Sequence, residues 1–272
     1  SHECDHVAAA DLPVVTRTRI PSAGKTGGAT PREVEDAVQR ALTEGRALYI
    51  TDLTLLESLR PDVVLAQDIC DVCAVSADAC PLPFGSSLVR LSGSTLAGLE
   101  EDLERVAAAL GVASAPARSG MHKRLERIRA MTHAEPRTRP RVVALEWSDP
   151  PYLGGHWVPE LIELAGGEDV LAKPGEHSRR VEWADIVAAK PDVVVHMPCG
   201  YDLEHTVADA RAEVRPRLPN CEIWATDADK LFSRCTPVSV GAGAEVLAGI
   251  LHPETRGPNF DANAVQVQAR TP

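Results

Sequence analysis

The sequence predicts an α/β protein made of two similar lobes, each built on a parallel-type sheet, with a helix joining them. Four observations carry this. Val193, Val194 and Val195 form an unbroken β-branched run, the composition of a strand covered on both faces. A helical segment precedes the run and is stopped at Lys190-Pro191-Asp192, because proline cannot continue a helix and biases its predecessor toward extended backbone. The same pattern occurs half a chain earlier. An offset of 130 positions lays residues 51–65 on residues 181–195, so that Pro61-Asp62-Val63-Val64 matches Pro191-Asp192-Val193-Val194, while Asp52/Glu182, Leu56/Ile186, Arg60/Lys190 and Leu65/Val195 match in kind. Between these units, residues 119–133 form a charged helix with Met121, Leu125, Ile128 and Met131 near helical spacing.

Taken in order, residues 1–6 are polar and read as a loop that follows a strand and helix lying ahead of Ser1. Residues 11–16 predict a short strand. A Gly-rich loop comes next at 22–28, whose Gly24-Lys25-Thr26 invites a P-loop reading; the earlier glycine at the required spacing and a strand running into the loop are both missing. Thr30-Pro31-Arg32-Glu33 is a helix start, with a capping threonine, proline at the first position and an early acid, and the helix should run to about Glu44. After the first Pro-Asp-Val-Val strand, residues 66–73 are polar. Residues 88–91 predict another strand, and Ser94-Thr95 caps a helix over 96–110.

The second half restarts with a buried strand over 141–146, whose exit, 147–157, holds Trp147, Tyr152, His156 and Trp157. A helix over 158–165 ends at Gly166-Gly167, residues 222–225 form a third strand with Asp227 and Asp229 at its exit, and 241–251 form a closing helix. The tail from His252 reads as poorly ordered. The expected division is an N-terminal lobe over 1–113, a connecting helix over 114–138, a C-terminal lobe over 139–252 and a tail over 253–272.

A net charge of −11 argues against nucleic acid or an anionic membrane surface as the main partner. Seven cysteines, an odd number, do not make a secreted disulfide framework. Cys70-x-x-Cys73, with Cys80 nearby, lacks the second half of a zinc site, so small buried thiols and a reducing compartment are the simpler reading.

Strand exits therefore carry Gln67 and Asp68, then Trp147, Tyr152, His156 and Trp157, then His196, Cys199 and Tyr201, then Asp227 and Asp229. Flat aromatic surface with dispersed amides, carboxylates and imidazoles suits a large, partly apolar ligand with polar edges. The competing reading makes both tryptophans core and both histidines structural. No nucleophile elbow, zincin helix or dinucleotide fingerprint is present, so no catalytic residue and no metal ligand is assigned. Binding without turnover needs fewer assumptions.

The strings Glu-Trp-Ser-Asp-Pro-Pro-Tyr-Leu-Gly-Gly-His-Trp at 146–157 and Val-Glu-Trp-Ala-Asp-Ile-Val-Ala-Ala-Lys-Pro-Asp-Val-Val-Val at 181–195 resemble the second lobe of the iron-chelate/cobalamin periplasmic-binding-protein family, its cobalamin-binding members above all. Residues 59–76 and the opening six residues resemble the same subgroup, and the resemblance extends over about residues 1–252. It implies two Rossmann-like lobes bridged by one long helix, with cobalamin or a related corrinoid in the cleft between them and delivery to an ABC importer permease. Carried over by position, the ligand contacts would be Gln67 and Asp68 from the first lobe and Trp147, His156, Trp157 and His196 from the second. It further implies a monomer, without catalytic cofactor, placed outside the cytoplasm or lipid-anchored; a cytosolic corrinoid-binding protein is the alternative location. Haem or a ferric siderophore is the sibling ligand, and a two-Rossmann-lobe enzyme is the reading from a different class.

Overall fold

The computed structural model describes Cys4 and residues 7–22, 27–69, 82–133 and 138–268. Cys70, Cys73 and Cys80 and the centre of the Gly-rich loop lie outside the described residues. The chain divides into two compact units. The first holds residues 1–22, 33–93 and 97–114; the second holds 23–32, 94–96 and 115–272.

In the first unit, β1 (Thr16–Thr18) pairs antiparallel with β2 (Tyr49–Thr51), and β3 (Val63–Gln67) pairs parallel with β4 (Ser87–Leu91). The strand expected at 11–16 thus begins where that expectation ended: Pro13 has no N–H to donate, and pairing starts as the Val15 carbonyl accepts from the Asp52 N–H at 2.8 Å. Helix α1 (Pro31–Thr43), whose first two residues fall in the second unit and the rest in the first, starts at the predicted proline, and its Val38 and Ala41 pack on Leu48. Helices α2 (Leu53–Leu59) and α3 (Leu96–Leu110) complete the set.

The long continuous part of the second unit begins with α4 (Ala115–Thr132). Met121, Leu125 and Ile128 are buried as the spacing predicted, but Met131 is exposed and Thr132 takes the fourth place, since a stripe at positions 121, 125, 128 and 132 follows the helical period more closely. The seven-stranded sheet has β10 (Glu222–Thr226), β9 (Val193–His196) and β5 (Arg141–Ser148) parallel at its centre. The short β7 (Glu168–Asp169) is parallel to the start of β5, whereas β6 (Pro151–Leu153) folds back antiparallel on its end and carries β8 (Arg179–Arg180). The sheet is therefore mixed rather than all parallel. On one face, Val143, Leu145, Val194, Ile223 and Ala225 pack with Ile186 of α6 (Trp183–Ala189) and with Ala210 and Val214 of a π-helical turn that extends α7 (Leu203–Asp209). Helices α5 (Val158–Leu164), α8 (Ala228–Leu231) and α9 (Pro237–Leu251) complete the unit; the last begins at the Thr236 cap, ahead of the expected start at Gly241.

The tail differs most from expectation. Residues 264–266 form β11, antiparallel to β10, and Phe260 and Val267 are buried. Alternation of apolar and polar residues in Val265-Gln266-Val267-Gln268 is enough for an edge strand once β10 offers its unpaired side.

The 130-position repeat is physical. Asp52 and Glu182 both cap their helices, and Arg60 and Lys190 both end them in left-handed conformation, at φ of 46° and 48°, before proline. The two strands beyond these turns diverge: every residue of β9 is buried, whereas Leu65 of β3 is exposed.

Candidate functional site at the strand carboxyl ends

The carboxyl ends of β5, β9 and β10 meet in the second unit, where open α/β sheets hold their ligands. A register shift in β5 between Leu145 and Trp147 leaves Glu146 as the extra residue, and such shifts re-aim neighbouring side chains. Trp147 is half-buried. Its indole N–H donates to the Pro31 carbonyl at 3.2 Å, and its ring meets Tyr201 edge to face, with centroids 5.6 Å apart and planes at 80°. Tyr201 lies just past the turn after β9, whose Gly200 sits at φ 78° and donates to Ser233 Oγ at 3.3 Å. The Tyr201 carbonyl accepts from the Asp229 N–H at 3.0 Å, tying this turn to the exit of β10.

Beside this pair, Arg32, Asp149, Tyr201, His205, Asp209 and Glu213 line an open cavity of about 510 Å³. Carboxylates around these exits have cationic or imidazole partners: Asp149 with Arg32, Asp202 with His205 at 2.6 Å, Asp209 with His196 at 2.6 Å, Asp227 with Lys230, and Asp229 with Arg234 at 3.0 Å. Burial, then the charge of Asp209, pushes the Tyr201 phenol pKa up, so the ring stays neutral at physiological pH.

The other predicted residues separate into three groups. His156 and Trp157 belong to a clasp in which the His156 N–H donates to the Glu176 carbonyl at 2.7 Å and its carbonyl accepts from the Gly175 N–H at 2.9 Å. His156 adopts φ 57°, and its ring meets His177 edge to face at 5.3 Å. Burial, then His177, lowers its pKa and favours the neutral imidazole. Trp157 is only 8% exposed and forms the start of α5, so it packs as core rather than beside Trp147. Glu146 braces the same clasp through Ser178 Oγ at 2.5 Å and the Gly155 N–H; burial raises its pKa against those hydrogen bonds. Tyr152 of β6 stands opposite Trp147 in the ladder and is half-buried.

His196 lies in β9, not in the loop beyond it, and is fully buried, with Nδ1 at 3.2 Å from the Leu145 carbonyl and Nε2 on Asp209. As placed it offers no surface to a ligand. Cys199 is a half-buried free thiol in the turn before Tyr201. Asp227 is 2% exposed and caps α8, accepting from the Lys230 N–H at 3.3 Å. In the first unit, Gln67 accepts from the Ile69 N–H at 2.9 Å and Asp68 pairs with Arg90 at 3.1 Å.

Arg32, Asp149 and His205 were missed by sequence reasoning. The spacing of Asp202 and His205 along α7 is a local signal, but no pattern links Arg32 to Asp149, 117 positions apart. Among the described residues, no group of three or more His, Cys, Asp or Glu side chains is placed to hold a metal ion.

No family model and no curated protein matches the chain. Solved structures do. A periplasmic heme-binding protein from Pseudomonas aeruginosa matches at TM-score 0.59 and 18% identity, over 86% of this chain and 88% of that one. The periplasmic vitamin B12-binding protein BtuF of Vibrio cholerae matches at 0.54 and 20%, over 83% and 88%. CeuE of Helicobacter pylori with Ni(II) bound matches at 0.54 and 18%, over 75% of this chain and 66% of that one, just under two thirds of its length. Identity this low speaks for architecture alone: the chain has the fold of the periplasmic substrate-binding proteins.

Proposed function

We propose that this protein is a non-enzymatic binding protein for cobalamin or a related corrinoid, held against the strand carboxyl ends of the second unit and passed to an ABC importer permease outside the cytoplasm. The observation that carries the reading is the Trp147–Tyr201 pair, two rings at right angles beside a cavity whose carboxylates are matched by cations and imidazoles. A half-buried indole offers apolar contact area, while a polar rim whose carboxylates are hydrogen-bonded to a guanidinium and to imidazoles offers oriented hydrogen bonds. That suits a large macrocycle edged with neutral amides better than an anionic siderophore, for which cations not already matched by carboxylates would be expected. Solved relatives of this fold include one named for vitamin B12.

Titration calorimetry with cyanocobalamin tests it. Saturable one-to-one binding at micromolar protein or tighter supports the reading. Absence of heat with cyanocobalamin, together with tight binding of hemin or a ferric siderophore, sinks the corrinoid assignment. The haem reading has its own motivation in His156, whose imidazole is kept neutral by burial and lies against His177. A shifted Soret band on adding hemin, lost in His156→Ala, would favour it.

A further inference from the structure

Residues 31–32 and 147–149 grip each other twice within the second unit. The Trp147 indole N–H donates to the Pro31 carbonyl at 3.2 Å, and Arg32 returns a two-pronged contact to Asp149, with Nε 3.1 Å from Oδ2 and Nη2 on Oδ1. Pro31 and Arg32 are adjacent, as the first residues of α1, so whatever holds Arg32 also holds the carbonyl that the indole needs. Asp149 lies two residues beyond Trp147, so the guanidinium holds the same strand end as the indole contact. The Arg32 and Asp149 side chains are 51% and 30% exposed. An ion pair this open adds little to folding stability, yet its paired N–H···O geometry specifies direction.

We propose that Arg32 and Asp149 are a positioning pair that orients the Trp147 indole for ligand contact, a claim that rests on Trp147 being part of the binding surface. Neither residue needs to touch the ligand. With the pair intact, the indole N–H stays on Pro31 and the ring stays against Tyr201; without it, the ring gains freedom that the ligand must then restrict, and affinity falls.

The test has two parts. The first needs no ligand: the Trp147 indole N–H resonance, assigned by its loss in Trp147→Phe, should exchange with solvent faster in Arg32→Ala and return toward the original rate when the pair is swapped as Arg32→Asp with Asp149→Arg. The second is calorimetry with cyanocobalamin. Arg32→Ala should weaken binding roughly three- to tenfold, the size of one modest hydrogen bond, and should add nothing in a Trp147→Ala background. Unchanged indole exchange in Arg32→Ala overturns the positioning claim whatever the ligand does. Full additivity of the two substitutions in binding overturns it as well. If Trp147→Ala itself binds normally, the binding surface has been misassigned, and the exchange rates still decide whether the pair orients the ring.

Discussion

Trp147 and Trp157, expected in one loop, lie at the end of β5 and at the start of α5 with β6 between them, and face different surroundings. Trp157 is enclosed at the start of α5, so Trp157→Ala should open a cavity and cost about 3–5 kcal/mol in urea unfolding. Trp147 is half-buried, its indole bonded to the Pro31 carbonyl and its ring against Tyr201, so Trp147→Ala should leave the unfolding midpoint nearly unchanged and weaken cyanocobalamin binding about tenfold or more. Equal loss of stability in both variants would return Trp147 to the core. Asp169 is a second instructive residue. Burial raises its pKa to about 6, outweighing the N–H groups of Ala172 and Leu171 that favour the charged form. The folded chain then holds this proton more tightly than the unfolded chain, so the contribution is complete below about pH 4 and is lost as pH rises through 6. Asp169→Asn should abolish a fall in stability on the order of 2 kcal/mol between about pH 4.5 and 7.5, read as the difference between the two proteins' denaturation curves.

The repeated helix–turn–strand unit shows how local chemistry recurs in different surroundings. An acidic cap, a short helix, a left-handed basic residue and a proline produce the same turn at Arg60 and at Lys190. A side chain in that conformation is strained, so Lys190→Gly should raise thermal stability by roughly 0.5–1 kcal/mol if the Lys190 side chain makes no compensating contact. An unchanged or lower melting temperature would show that the lysine contributes more than its backbone costs. The strands after these turns obey their neighbours rather than their own composition. β9 lies between β5 and β10 with both faces covered, whereas β3, among the described residues, pairs with β4 and leaves Leu65 exposed.

For the second unit as a body, the last residues matter. Phe260 packs edge to face on Trp224 at 5.4 Å, Arg256 lies over both rings, and β11 closes the β10 edge. Ending the chain after Arg256 should cost at least about 3 kcal/mol from the lost burial of Phe260, Ala264 and Val267, and should leave β10 open to pairing between molecules. Chemical denaturation and light scattering would detect both effects; a truncated protein as stable and monodisperse as the parent would show the tail to be dispensable.

Sequence patterns alone indicated the α/β class, most helices, the central strands and the aromatic exit of β5, because each rests on short-range physics: hydrophobic periodicity, proline stops, capping residues and β-branched runs. Which strand exits meet, and which side chains face a cavity, depended on contacts between residues distant in sequence. His196 looked like a loop residue and became a buried partner of Asp209 because β9 is one residue longer than its valine run. Arg32 looked like an ordinary helix-start residue until folding set it against Asp149. Propensity and pattern act over a few residues, whereas binding surfaces are made where the chain returns to itself.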